Sequence, residues 1–338
     1  MTRAAVKLRD YFAAVEKRLF CENRKFYTLQ ARIQNKLLNF HFQTQEQEEQ
    51  ARLSLTGLVV DNPGPGDADF YHWVDELEAY LPTEAAGRAG VWTCRDDTGY
   101  LNVTTQYGMT GVDYGKNRYY YCLQDAVDSK SALNSHALIA CLFRWALQTD
   151  LLVLHSAAVG IGGNGVLIGA RGGRGKSTLA VACLLQGLDF TSDDYVLLNQ
   201  KGPLTAMPLY RTVGLNPDSA AILKPALPVL KRDPQRGGKL LLDASGERIC
   251  EELPIRGIVF PKIGPHDKPE IIPVAPGQAL TQMVHSSLVQ FDVLREISLV
   301  RLMLERLQGL PVYEIRLTKD PAANVRCLRG FLQSHEWN

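Results

Sequence analysis

No stretch of this sequence stays apolar long enough to act as a leader or a membrane span. The N-terminal region carries Arg3, Lys7, Arg9 and Asp10, and the longest apolar region, near residue 140, is interrupted by Arg144 and Asp150. Cysteine is sparse and unpatterned. Seven stand at 21, 94, 122, 141, 183, 250 and 327, without the C-x-x-C pair that zinc binding or disulfide exchange would use. Both absences lead to the expectation of a cytoplasmic protein in a reducing compartment. An excess of charge of one sign is missing as well. A formal net charge of +1 gives no global field to draw in nucleic acid or an anionic membrane. The basic residues that do cluster, near the N-terminus, lack the aromatic interleaving of a single-strand platform, which argues against a DNA or RNA partner.

What remains is an ordinary globular composition, 46% hydrophobic and 22% charged over 338 residues, enough for a full core in one large or two smaller domains. From Ala4 to about Leu38, apolar residues such as Leu8, Phe12, Val15 and Leu19 recur at helical spacing, which predicts one or two amphipathic helices. With Arg3 included, nine basic residues stand against three acidic ones over residues 3–38. A solvated helix face and an interface for an acidic partner both accommodate that charge. Residues 50–125 alternate short β-like runs (Leu55–Val60, Val91–Cys94, Tyr119–Leu123) with turn-rich stretches, which predicts a small α+β region, and Ser131–Thr149 reads as a helix.

The informative part follows. Leu151–Ile161 has a buried-strand pattern, Gly162-Gly163-Asn164-Gly165 a hairpin turn, and Val166–Gly169 a second strand. Ser177–Gln186 reads as a helix stopped by Gly187, and a new strand starts at Phe190. Strand, glycine loop, helix, strand is the order that phosphate binding needs. Further on, Lys224–Gly238 reads as a surface loop and Ile255–Ile263 and Val312–Leu317 as strands. Gln278–Val289, Val293–Leu307 and Ala322–Leu332 read as helices.

Between the second strand and the helix, Ala170-Arg171-Gly172-Gly173-Arg174-Gly175-Lys176-Ser177 follows the phosphate-loop pattern G-x-x-x-x-G-K-S/T, with Ala170 in place of the first glycine. Glycines let backbone N–H groups converge on phosphate, and the helix that follows aims its positive end at the same point. A lysine at that end opposes the helix dipole unless an anion binds there. The expected nucleotide contacts are Gly172, Gly173, Arg174, Gly175, Lys176, Ser177 and Thr178. Asp193 and Asp194 fall where the next strand ends, and adjacent carboxylates repel unless a cation or a shared proton intervenes. Mg²⁺ and Lys176 would supply that charge, one aspartate holding metal and the other accepting a proton; turn capping by both stays open. His155, on the strand before the loop, could be a hydrogen-bonded core residue or a catalyst.

Taken together, Leu154-His155-Ser156-Ala157-Ala158-Val159, Val166-Leu167-Ile168-Gly169, Gly173-Arg174-Gly175-Lys176-Ser177-Thr178-Leu179-Ala180 and Ser192-Asp193-Asp194 resemble the HPr serine kinase family and its peptide-serine-kinase-like relatives. The resemblance spans about residues 130–330 and is specific from 151 to 198. It implies an α/β fold: a P-loop kinase core of the HPr kinase/phosphoenolpyruvate carboxykinase type with a mixed sheet over 126–338; the smaller α+β region over 1–125, a place for substrate or partner recognition, is read from the residue pattern alone. It implies ATP as nucleotide and Mg²⁺ as metal, held by Ser177 and Asp194, with His155, Lys176, Asp193, Asp194 and Arg211 as catalytic residues and Lys239 as a further phosphate contact. The glycine-rich signature by which bifunctional members remove phosphate from HPr is missing. The expected activity is therefore phosphoryl transfer to a serine-like hydroxyl of a peptide or protein. The alternatives are a kinase of free serine or another small-molecule acceptor, and an ATP-sensing module without chemistry. No membrane partner is expected, and association into a homo-oligomer is left open.

Overall fold

A computed structural model describes residues 7–20, 24–82, 85, 90–104, 108–125, 128, 133, 136–169, 173–234, 237–290 and 296–337. The chain divides into two compact units between Trp145 and Ala146, twenty residues beyond the expected boundary at 125. Described residues beyond 125 are tied into the first unit. The Ala137 N–H donates to Ser54 Oγ (3.2 Å) and the Arg144 guanidinium lies 3.6 Å from the ring centre of Tyr100.

The first unit begins with helix α1 (Leu8–Phe20), whose Leu8, Phe12, Val15 and Leu19 are buried on one face. A seven-stranded sheet follows: β1 (Tyr27–Ile33), β2 (Lys36–Phe42), β3 (Ala68–Val74), β4 (Val91–Arg95), β5 (Gly99–Thr104), β6 (Gly108–Asp113) and β7 (Arg118–Leu123). Its order is β1-β2-β3-β7-β6-β5-β4, with β2/β3 and β3/β7 parallel and the other pairs antiparallel. The expectation of helix through Leu38 fails after Phe20, because Leu29, Ala31 and Ile33 are buried at alternate positions, the strand period. Leu55–Val60 is not a strand either. It is the turn that leaves α2 (Gln45–Ser54), a helix begun by a capping box between Thr44 and Gln47, and only Val59 bridges to Ala31. Glycine lets α1 lie close to the sheet: a Cβ on Gly111 would sit 2.7 Å from the Phe12 ring. Helix α3 (Ile139–Gln148) then spans the division.

The second unit is an α/β assembly on a mixed nine-stranded sheet. Its strands are β8 (Leu151–Leu154), β9 (Ala157–Ile161), β10 (Asn164–Ile168), β11 (Asp189–Ser192), β12 (Val196–Asn199), β13 (Thr205–Pro208), β17 (Leu253–Ile263), β18 (Glu270–Pro273) and β19 (Val312–Leu317). The path β11-β9-β10-β17-β13-β12-β8 has β19 added beside β17 and β18 beside β19. β17 lies parallel to both β10 and β19. The single strand expected over Leu151–Ile161 is two, broken at His155-Ser156. The hairpin after it turns on Gly162-Gly163, both at positive φ (58° and 83°), while Asn164 already pairs with Ile161.

Helices α4 (Lys176–Leu185) and α8 (Pro321–Ser334) pack on one another and share a core with β9, β10 and β19 that includes Val159, Ile168, Leu179, Ile315 and Leu328. A separate three-stranded sheet, β14 (Thr212–Leu215), β16 (Lys239–Asp243) and β15 (Val229–Asp233), lies beyond α5 (Pro217–Leu223). β15 corrects the expected loop over Lys224–Gly238. It is a charged edge strand, exposed at Val229, so its composition reads as loop although its backbone pairs with β16. Helices α6 (Pro276–Gln290) and α7 (Ile297–Leu307) complete the unit.

Candidate active site

The site forms where the start of α4 meets the end of β11. Gly175 precedes the helix at φ 94° and Gly173 sits at φ 77°, backbone that only glycine adopts without strain. A Cβ on Gly175 would lie 3.1 Å from Leu317, so the loop also passes close to the end of β19. Gly173 and Arg174 are exposed. Gly172, with Ala170 and Arg171, lies outside the described residues.

Lys176, the first residue of α4, is only 7% exposed. Its Nζ donates to the main-chain oxygen of Asp193 (2.9 Å) and to the Asp194 carboxylate, and it lies 3.4 Å from Asp193 Oδ1. Burial works to lower the lysine pKa. The charges of Asp193 and Asp194 outweigh it, so the ammonium is held above its ordinary range. Lys239, from the start of β16, donates to the other oxygen of Asp194 (3.1 Å). It can do so because residue 214 has no side chain: a Cβ there would sit 2.4 Å from Lys239 Cε.

The two aspartates have different surroundings. Asp193 is 1% exposed, accepts the Gly214 N–H (3.2 Å) and is hydrogen-bonded by Ser177. Burial and the neighbouring Asp194 push its pKa above the ordinary carboxylate range against the pull of Lys176, Lys239 and Ser177. Asp194 bridges the two lysines and lies 4.0 Å from His155 Nε2. Two carboxylates and two ammonium groups thus compensate one another in a largely buried cluster at a helix N-terminus.

His155 sits at the break between β8 and β9. Its Nδ1 is 2.8 Å from Ser286 Oγ, its N–H donates to Ser287 Oγ (3.0 Å), and its ring centre is 5.4 Å from that of Tyr195. Burial, with the charges of Lys176 and Lys239, lowers its pKa from 6.5 to about 4, so the ring is neutral at pH 7. Because the folded value lies below the unfolded one, the unfolded chain binds the extra proton between pH 6.5 and 4, and stability falls as pH drops through that window. His72, buried in the first unit, is lowered to about 4 as well. Denaturant titrations from pH 7 to 4 are therefore expected to show a shallower acid loss for the second unit of His155→Gln than for that of wild type. An unchanged slope in that unit would mean that His155 already takes up its proton in the fold.

Of the residues expected from sequence, Lys176, Ser177, Asp193, Asp194, His155 and Lys239 are brought together. Thr178 is beside them but engaged with Ser219 Oγ (2.7 Å). Arg211 is not drawn in: its Nη2 donates to Glu251, and its Nε is buried without a partner among the described residues. Sequence reasoning missed Ser286, Ser287 and Gly214, which orient His155, Asp193 and Lys239. Nothing local marks them, since Ser286 stands 131 residues from His155.

The Ser177 hydroxyl and Asp194 carboxylate are hard oxygen donors of the kind Mg²⁺ takes, and the bridging of Asp194 by two ammonium groups displays its demand for cations. Among the described residues no group of three or more His, Cys, Asp or Glu could hold a metal alone. A magnesium ion here would complete its shell from nucleotide and water, as is usual for that ion. No protein-family model matches the chain, and no curated protein matches its sequence.

Proposed function

We propose that this chain is an ATP-dependent kinase of the HPr-kinase-like type, transferring the γ-phosphoryl group to a serine-like hydroxyl of a peptide or protein. One observation carries the reading: a buried lysine at the first turn of a glycine-led helix is bound to two adjacent aspartates at the end of the neighbouring strand. That arrangement supplies what phosphoryl transfer asks of a protein, which is positioning and charge. The N–H groups of Gly173–Ser177 and the α4 dipole would hold the phosphates, and Lys176 would swing from the aspartates to the β- and γ-oxygens. Ser177 and Asp194 would hold Mg²⁺, which would supply neutralisation of the phosphate charge. As the acceptor oxygen bonds to phosphorus, the bond from phosphorus to the β,γ-bridging oxygen breaks, ADP leaves, and the acceptor proton passes to Asp193. A carboxylate with a raised pKa suits that last role. His155, neutral and facing Asp194, would keep that carboxylate oriented.

The test is mass spectrometry of serine-containing peptides and of free serine after incubation of the full chain with ATP and Mg²⁺. Peptides are expected to gain one phosphoryl group. Modification of free serine alone would overturn the peptide reading, and nucleotide binding with no turnover would overturn catalysis.

A further inference from the structure

The first unit contains a cleft of about 780 Å³, lined by residues of α1, by Arg24 and Asp75, and by the short 3₁₀ turn Leu77–Tyr80 with Leu81. A water occupies about 30 Å³ in the liquid, so the space exceeds any single ion and falls in the size range of ligand sites, roughly 300–1,000 Å³. Its walls carry three cations, Lys17, Arg18 and Arg24, against one carboxylate, Asp75.

That carboxylate is already spoken for inside the protein. Asp75 accepts from Arg24 Nη2 (3.1 Å), from the Tyr80 hydroxyl (2.7 Å) and from the Glu76 N–H (2.9 Å). The other Arg24 nitrogen, Nη1, is buried with no hydrogen-bond partner among the described residues. Arg24 is held by Asp75 inside the protein, and Lys17 and Arg18 are the cations open at the cleft. The Arg18 guanidinium is held over the Tyr80 ring, 5.1 Å from its centre. Neither Lys17 nor Arg18 has an ion-pair partner among the described residues, although both are exposed on α1. Ala14, Val15, Ala79 and Leu81 add aliphatic surface to the lining beside Tyr11 and Tyr80.

We infer that this cleft binds the carboxylates of an acidic peptide whose apolar residues lie against its aliphatic walls. Consecutive residues on a helix point about 100° apart, so Lys17 and Arg18 offer separate charges rather than one socket. Phosphate, with three oxygens on one centre, calls for converging donors. Separate single charges beside apolar surface match glutamates spaced along a peptide. The inference does not rest on phosphoryl transfer, because the cleft lies wholly within the first unit and binding needs no nucleotide.

Fluorescence polarisation on the full chain, with no ATP, provides the test. The probes are a dye-labelled acetylated peptide of alternating glutamate and leucine and its glutamine counterpart. The glutamate peptide is expected to bind at least about tenfold more tightly, as losing one charge-assisted hydrogen bond implies. Adding salt should weaken it. The double substitution Lys17→Gln/Arg18→Gln should erase the difference between the peptides while the protein stays folded, the midpoint falling only by the small amount that loss of the Arg18–Tyr80 contact implies, since both side chains are exposed. Equal binding of the two peptides, or indifference to the double substitution, would overturn the inference. So would displacement of the peptide by equimolar glutarate or inorganic phosphate, which would assign the cleft to a small anion.

Discussion

Lys176→Ala is expected to abolish phosphoryl transfer, with turnover falling by about 10³-fold or more. In the transition state charge spreads over the γ-oxygens, and a preorganised cation in a dry site stabilises it far more than one in water. Of the two described lysines at the site, Lys176 is the one that leads a helix, and it is all but buried between the aspartates. Its removal has a second consequence. Asp193 and Asp194 would be left with Lys239 as their remaining described ammonium contact, and breaking a buried ion pair from one side costs about 3–5 kcal/mol. The alanine variant should therefore unfold at lower temperature, and Asp193 should take up a proton. To separate lost fold from lost chemistry, Lys176→Arg keeps the charge but cannot place it as a compact ammonium. It should fold with near-native stability and still lose most of its turnover. A coupled ADP-release assay beside thermal unfolding reads both. Turnover equal to wild type in the folded Lys176→Ala protein would remove this lysine, and with it the nucleotide site, from the assignment.

Asp193→Asn is expected to lower kcat by at least about 10²-fold, the contribution of a positioned base, while changing nucleotide affinity by less than about tenfold. The amide keeps the shape of the side chain and leaves the Lys176 bonds to Asp194 and to the Asp193 main-chain oxygen in place. What disappears is the ability to accept a proton. The pH profile carries the same signature. Burial and the Asp194 charge raise the Asp193 pKa, so the wild-type rate should fall as pH drops toward a value above the ordinary carboxylate range, and the asparagine variant should lose that limb. Asp194→Asn is the necessary companion. Asp194 bridges Lys176 and Lys239, so its loss should mainly weaken binding of the nucleotide with its magnesium, raising KM. Calorimetric titration of nucleotide beside steady-state rates distinguishes the two. If Asp194→Asn takes the larger loss in kcat with affinity intact, the two aspartates exchange roles.

The glycine-led turn before α4 was legible because its requirements are local. Positive φ at Gly173 and Gly175, a lysine at the first helical position, and a strand on either side follow from residue types at fixed spacing, and α4 and β11 begin within a residue of where the pattern put them. The aspartate pair was legible for the same reason, standing one residue past the end of β11. Elements of mixed character were misread. The segment after Phe20 has the charges of a surface helix but the alternation of a strand, and β15 looks like a loop because an edge strand needs few apolar residues to pair.

The sequence by itself determined a mixed α/β chain and a glycine-led helix with a lysine at its start and two carboxylates nearby, since backbone conformation and strand-to-helix order depend on near neighbours. Only the tertiary structure decided what surrounds those groups. It set Ser286 against His155 and Gly214 beneath Lys239, paired Arg211 with Glu251, and brought Arg24 to Asp75 beside the cleft of the first unit. Those relations join residues tens to more than a hundred positions apart. They depend on which strands pair and how closely side chains pack, and no local spacing encodes that.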